Sequence, residues 1–79
     1  MLTLVKLDAT AVDVATDEDS LRVFLAAGRE IVTPLMWFPP LLTATPEQRA
    51  KWRLMGHGTG IAWDELDEHL SVAGLFRQH

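Results

Sequence analysis

Between residues 12 and 33 the apolar side chains fall on alternate positions, and a period of two confines this part of the chain to β-strands. In "AVDVAT", Val12 and Val14 flank Asp13, and in "SLRVFLA", Leu21, Val23 and Leu25 alternate with Arg22 and Phe24. Alternation places each set on one face of a strand, and β-branched and large apolar residues suit that pleated surface. The polar "TDED" between the runs predicts a hairpin tip, and Gly28 in "AAGRE" predicts a second tight turn. "REIVTPL" then supplies a third strand, with Ile31 and Thr33 facing opposite to Val32. Pro34 sits near its end, where a missing N–H is tolerated. On the same reading residues 3–8 extend the first strand.

After Leu35 the period changes. "MWFPPLLTA" is too rich in proline for a strand interior, and Pro39 and Pro40 fit the first turn of a short helix, where their absent donors would go unpaired anyway. "TPEQRAKWRLMG" predicts a helix from Pro46 to Gly56, with Thr45 as cap, Gln48 completing a capping box, and Gly56 as terminator. Ala50 and Leu54, and Trp52 and Met55, share spacings that turn part of one helical face inward. "HGTGIAW" reads as a turn followed by a short strand at Ile61 to Trp63. "LSVAGLFRQ" reads as a short helix or turn docked by Leu70, Val72, Leu75 and Phe76. The expected fold is α+β. A three-stranded antiparallel β-meander is followed by two or three short helices and one short extra strand, with residues 1–79 as a single domain.

A chain of 79 residues buries only about 60 % of the surface its unfolded form exposes, so the core is thin. It contains no cysteine to staple it. At 48 % hydrophobic residues it is too apolar for disorder, yet no apolar run approaches the roughly 18 residues of a membrane span. Met1 is not followed by a basic-then-apolar leader, and the expected location is the cytoplasm.

The chemistry-bearing motifs are sparse. "GHGTG" lacks the Lys-Ser/Thr ending of a phosphate loop, and its glycines are read as a turn that re-aims the chain from helix to strand. His57, His69 and His79 occur without H-x-x-x-H or H-E-x-x-H spacing, so no metal site is expected. No nucleophile with an oxyanion device is evident, and the chain is expected to be neither an enzyme nor a cofactor binder. Charge carries more information. Seven of the eleven acids lie in two clusters, Asp17-Glu18-Asp19 and Asp64-Glu65 with Asp67-Glu68, and the net charge is −4. Such a chain repels nucleic acid, whose binding rests on Lys and Arg at phosphates, and matches a basic protein surface instead. Part of the second cluster suits the start of a helix, where carboxylates meet the positive end of the macrodipole. Trp37 and Phe38, followed by Pro39-Pro40, form an aromatic–proline knuckle that serves either as a core plug or as a partner anchor.

The segment "IVTPLMWFPPLLTATPEQRAKWRLMGHGTGIAWDELDEHLSVAGL" resembles the small bacterial family known as domain of unknown function 2442. The resemblance is carried by Pro34-Leu35, Trp37-Phe38-Pro39, Leu41-Leu42, Ala44-Thr45, Glu47-Gln48-Arg49, Trp52, Gly56, Gly58, Gly60-Ile61, Trp63, Leu66-Asp67-Glu68, Ser71-Val72 and Gly74-Leu75. It departs from the family pattern at Pro40, Ala62, Asp64 and His69, where a basic residue, a His, a Pro and a third acid are common. With the hairpins it covers residues from about 9 to 76. The resemblance implies a compact α+β fold, no established catalysis, and an antitoxin-like role in two-gene arrangements.

The resulting expectation is a non-enzymatic module that neutralises a basic partner protein, a monomer or homodimer without direct nucleic-acid or membrane binding. Asp64, Glu65, Asp67, Glu68, Asp17, Glu18 and Asp19 would supply the charge and Trp37 the anchor. The alternative is a phage- or mobile-element-encoded inhibitor of a nucleic-acid-binding defence complex, an anti-CRISPR-like acidic mimic of nucleic acid.

Overall fold

A computed structural model describes residues 9–77; the expected extension of the first strand over residues 3–8 lies outside them, as does His79. The meander is present: β1 (Ala11–Thr16), β2 (Ser20–Leu25) and β3 (Glu30–Pro34) pair antiparallel in the order β1-β2-β3. The alternation read for β2 and β3 is the one observed. Leu21, Val23, Leu25, Ile31 and Thr33 are buried, while Arg22 and Val32 face out. Val12 departs from it. The pairing shifts by one residue between Ala11 and Asp13, so Val12 is 56 % exposed where Val14 is 5 %. An extra residue in one strand rotates every side chain beyond it to the other face.

After β3 come a 3-10 turn (Leu35–Trp37), α1 (Pro39–Leu42) and α2 (Pro46–Arg49). The capping box of α2 forms as read: the Gln48 backbone N–H donates to Thr45 Oγ1 and the Thr45 N–H donates to Gln48 Oε1. The helix does not run on to Gly56, however. It ends at Arg49, and Arg53–Met55 is a strand, β4. The break coincides with a tertiary contact. A continuing helix would give the Arg49 carbonyl to the N–H four residues on, but that carbonyl accepts from Trp63 Nε1 at 3.0 Å. Gly56 therefore terminates no helix. With His57 and Gly58 it forms a run of three residues at positive φ that turns β4 into β5 (Gly60–Trp63).

The third strand of this second meander, β6 (Glu68–Ser71), follows a tight turn, and α3 (Val72–Arg77) closes the described chain. The expected extra strand is thus the centre of a second three-stranded sheet. Its neighbours come from residues read as helix end and acidic run. Both sheets feed one apolar cluster in which Leu21, Val23, Leu35, Leu41, Ile61, Trp63 and Val72 are fully buried. Thr33 is fully buried among them, and its Oγ1 has no hydrogen-bond partner. A buried hydroxyl without a partner keeps its desolvation cost. Thr33→Val is therefore expected to raise stability by about 1 kcal/mol, read as a higher urea midpoint at unchanged slope; a lower midpoint would show that the hydroxyl has a partner in solution.

Candidate functional site

The first acidic cluster sits at the β1–β2 hairpin tip and is built as a turn. Asp17 Oδ1 accepts from the N–H groups of Asp19 and Ser20 at 2.8 and 2.7 Å. These two donors hold the Asp17 carboxyl below the ordinary carboxylate range. Glu18 and Asp19 are exposed. The Asp19 carbonyl in turn accepts from the Leu35 N–H at 2.8 Å, which sets the start of the 3-10 turn against the acidic tip.

From that bond onward, buried and exposed residues are interleaved. Leu35, Phe38 and Leu41 are buried and anchor the segment, while Met36, Trp37 and Leu42 are 69 %, 44 % and 42 % exposed. Pro39 and Pro40 lie exposed between them. The two readings of the aromatic–proline knuckle thus divide between neighbours: Phe38 plugs the core and Trp37 faces outward. Of the other tryptophans, Trp52 is partly buried against the core and Trp63 is fully buried. Arg49 clamps the far end, donating Nε to the Leu41 carbonyl and Nη2 to the Leu42 carbonyl, both at 2.8 Å. Both carbonyls belong to the last turn of α1, so the guanidinium ties that end of the helix and its apolar outer surface in place. Sequence reasoning singled out Trp37 but missed Met36, Leu42 and the clamping Arg49. Interleaved burial reveals Met36 and Leu42, and the bonds to the Leu41 and Leu42 carbonyls reveal Arg49.

The run from Asp64 to Glu68 is not the first turn of a helix. Asp64–Leu66 is one 3-10 turn, Asp67 is left-handed at φ 52°, and Glu68 already belongs to β6. The segment is the β5–β6 hairpin turn, and Asp is one of the few non-glycine residues that accept a left-handed backbone. Two of the four carboxylates face cations from the β4 side. Arg53 grips Asp64 with Nε and Nη2 at 2.7 and 3.0 Å, and Lys51 Nζ reaches Glu65 at 3.2 Å. Among the described residues the two cations pair with Asp64 and Glu65, and neither Asp67 nor Glu68 forms an ion pair. The Arg53 bonds hold the Asp64 carboxyl below its ordinary value of 3.8 and raise Arg53 in return.

A depressed carboxylate stabilises the fold above its unfolded pKa, and that stabilisation disappears as pH falls through the lower folded value. Both Asp17 and Asp64 act in this direction. The melting temperature is expected to fall between about pH 5 and about pH 2, and less steeply in the D17N/D64N double variant. Equal slopes would assign the acid sensitivity to other carboxylates. The effect is small because both groups are exposed and solvent-screened.

The two described histidines do not converge. His57 lies on the β4–β5 turn and His69 on β6 opposite Ala62. Among the described residues no three acids, histidines or cysteines gather as metal ligands, and no helix is long and apolar enough to cross a membrane.

Comparisons with known proteins agree with this geometry. A family model described as "Protein of unknown function (DUF2442)" matches residues 9–79. No curated protein matches the chain. The crystal structure of a protein of unknown function from Rhodospirillum rubrum ATCC 11170 is similar, at 27 % identity and a TM-score of 0.77, over 87 % of this chain and 86 % of that one. Most residues that carry the family resemblance have a structural use here. Leu41, Ile61, Trp63, Val72 and Leu75 are core, Thr45 and Gln48 cap, Arg49 clamps, and Gly58 turns. Trp37 and Leu42 are large apolar exceptions left on the surface.

Proposed function

We propose that this chain, which belongs to the DUF2442 family of proteins of unknown function, is a non-enzymatic protein-binding module. It acts in the cytoplasm as a monomer or homodimer and covers a basic surface of a partner protein, as an antitoxin neutralises its toxin. One observation carries this reading: Trp37 is 44 % exposed beside Met36 on a segment anchored by Leu35, Phe38 and Leu41. Aromatic side chains held rigid at a surface lose little entropy on binding, and they dominate interface hot spots. The acidic tip at Glu18 and Asp19, tied to this segment through the Asp19–Leu35 hydrogen bond, supplies complementary charge at its rim. Asp67 and Glu68 add a second acidic patch, while Asp64 and Glu65 are already engaged by Arg53 and Lys51.

That engagement weighs against the alternative, an acidic mimic of nucleic acid acting on a defence complex, because mimicry needs a row of uncompensated charges. Competition by duplex DNA for the captured partner would favour the mimic.

The test is Trp37→Ala. Partner is captured from the native host with the wild-type chain, identified by mass spectrometry, and titrated against both proteins. A loss of about 2 kcal/mol, roughly thirty-fold in Kd, is expected with the melting temperature nearly unchanged. Unchanged affinity removes Trp37 as the anchor and the reading with it.

A further inference from the structure

The outer edge of β1 opens on a groove that the anchor segment does not use. Hydrogen bonding within the first sheet alternates: the Asp17 N–H donates to the Ser20 carbonyl and the Ala26 N–H to the Thr10 carbonyl, so Ala15 faces Arg22 in a bonded pair. Val14 and Thr16 consequently turn their backbone groups away from β2. The Val14 N–H is taken by the Asp13 carboxylate at 2.8 Å. Among the described residues no hydrogen-bond partner meets the Val14 carbonyl or either backbone group of Thr16. Toward the other end of β1 the edge is covered, because Gly58 lies against the Ala11 backbone.

Beside Val14 and Thr16 lies a groove of about 440 Å³, walled on its far side by Pro46, Ala50 and Trp52. Arg49 also borders it, but its guanidinium is committed to the Leu41 and Leu42 carbonyls. Asp17 and Glu18 stand at the tip end of the groove, and Glu18 is exposed, with no ion pair among the described residues.

We propose that this groove takes an extended segment of the partner protein as an added strand on β1. The segment pairs with Val14 and Thr16, lays an apolar side chain against Trp52 and places a Lys or Arg at Glu18. This rests on the reading of the chain as a protein-binding module and names the part of the partner it holds. Strand addition draws affinity from main-chain bonds and specificity from the flanking side chains. Charge selects the occupant. A second copy of β1 pairing antiparallel through the same residues would set Asp13 against Asp17, acid on acid, and like charges directly opposite one another are destabilising. A basic segment meets the opposite situation at Glu18.

The test uses a displayed random dodecapeptide library panned against the purified full chain. Recovered peptides should combine alternating β-branched residues with a terminal Lys or Arg. Thr16→Pro deletes one outward N–H without touching the β2 ladder, and Glu18→Lys reverses the selecting charge with no effect on the backbone edge. Each should weaken the peptides at least ten-fold with circular dichroism unchanged, whereas Trp37→Ala should not. Recovery of no peptide, or of peptides indifferent to Glu18→Lys, overturns the groove. So does a dimer in sedimentation that Thr16→Pro converts to monomer, since a second copy would then own the edge. The module reading is judged separately by Trp37→Ala on the captured partner: if that partner loses affinity with Trp37→Ala but ignores Thr16→Pro, the groove falls and the module stands.

Discussion

Trp63→Ala is expected to unfold much of the protein at 25 °C. The side chain is fully buried in the shared core and also donates to the Arg49 carbonyl. Truncating a buried Trp costs about 3–5 kcal/mol, and a domain this small has a total stability near the lower end of about 5–15 kcal/mol. The damage extends beyond the cavity. Without the indole the Arg49 carbonyl loses its tertiary donor, and the Arg49 guanidinium holds the carbonyls of Leu41 and Leu42 beneath the exposed anchor. Trp63→Phe separates the two contributions, since it keeps most of the packing and loses the hydrogen bond, at about 1–3 kcal/mol with the carbonyl left unpaired. Urea titration followed by far-ultraviolet circular dichroism reads both. A Trp63→Ala variant within about 1 kcal/mol of wild type would remove the indole from its central place.

Gly58→Ala should be nearly as severe, and Gly28→Ala is its internal control. The two glycines have almost the same backbone, φ +90° and φ +93°. Each substitution therefore carries a strain of about 1–3 kcal/mol. Their surroundings differ. A Cβ at Gly28 meets nothing within 4 Å, while one at Gly58 runs into the Ala11 carbonyl oxygen and lies 3.0 Å from Thr10 Cγ2. The obstacle is largely backbone, so it yields only if the second sheet moves away from β1. Gly58→Ala should lower the denaturation midpoint well beyond Gly28→Ala, and the difference between them measures that close approach. Equal losses would mean that dihedral strain accounts for both.

Local features were read well where a single stretch of chain settles its own conformation. The alternation of Leu21, Val23 and Leu25, the inward Ile31 and Thr33, the Thr45–Gln48 capping box and the prolines opening α1 all depend on residues a few positions apart. The errors share a different cause. Residues 50–55 carry helical spacing, but the Arg49 carbonyl is claimed by an indole fourteen positions away. Val12 matches the alternation of Val14 and loses its place to a bulge set by the register with β2. The acids at 64–68 look like one cluster, yet Arg53 and Lys51 from the neighbouring strand side take half of it.

The candidate site divides in the same way. Trp37 was legible as a candidate because an aromatic next to paired prolines is unusual; its exposure, against the burial of Phe38 beside it, was not. The sequence by itself determined the α+β class, the first meander and the Thr45–Gln48 capping box, because periodicity and capping act over one or two turns of chain. Tertiary structure alone decided the second sheet, the surface residues Met36, Trp37 and Leu42, and the open edge at Val14 and Thr16. Each of these depends on which distant group reaches a shared carbonyl, carboxylate or face first, and that competition has no local signature.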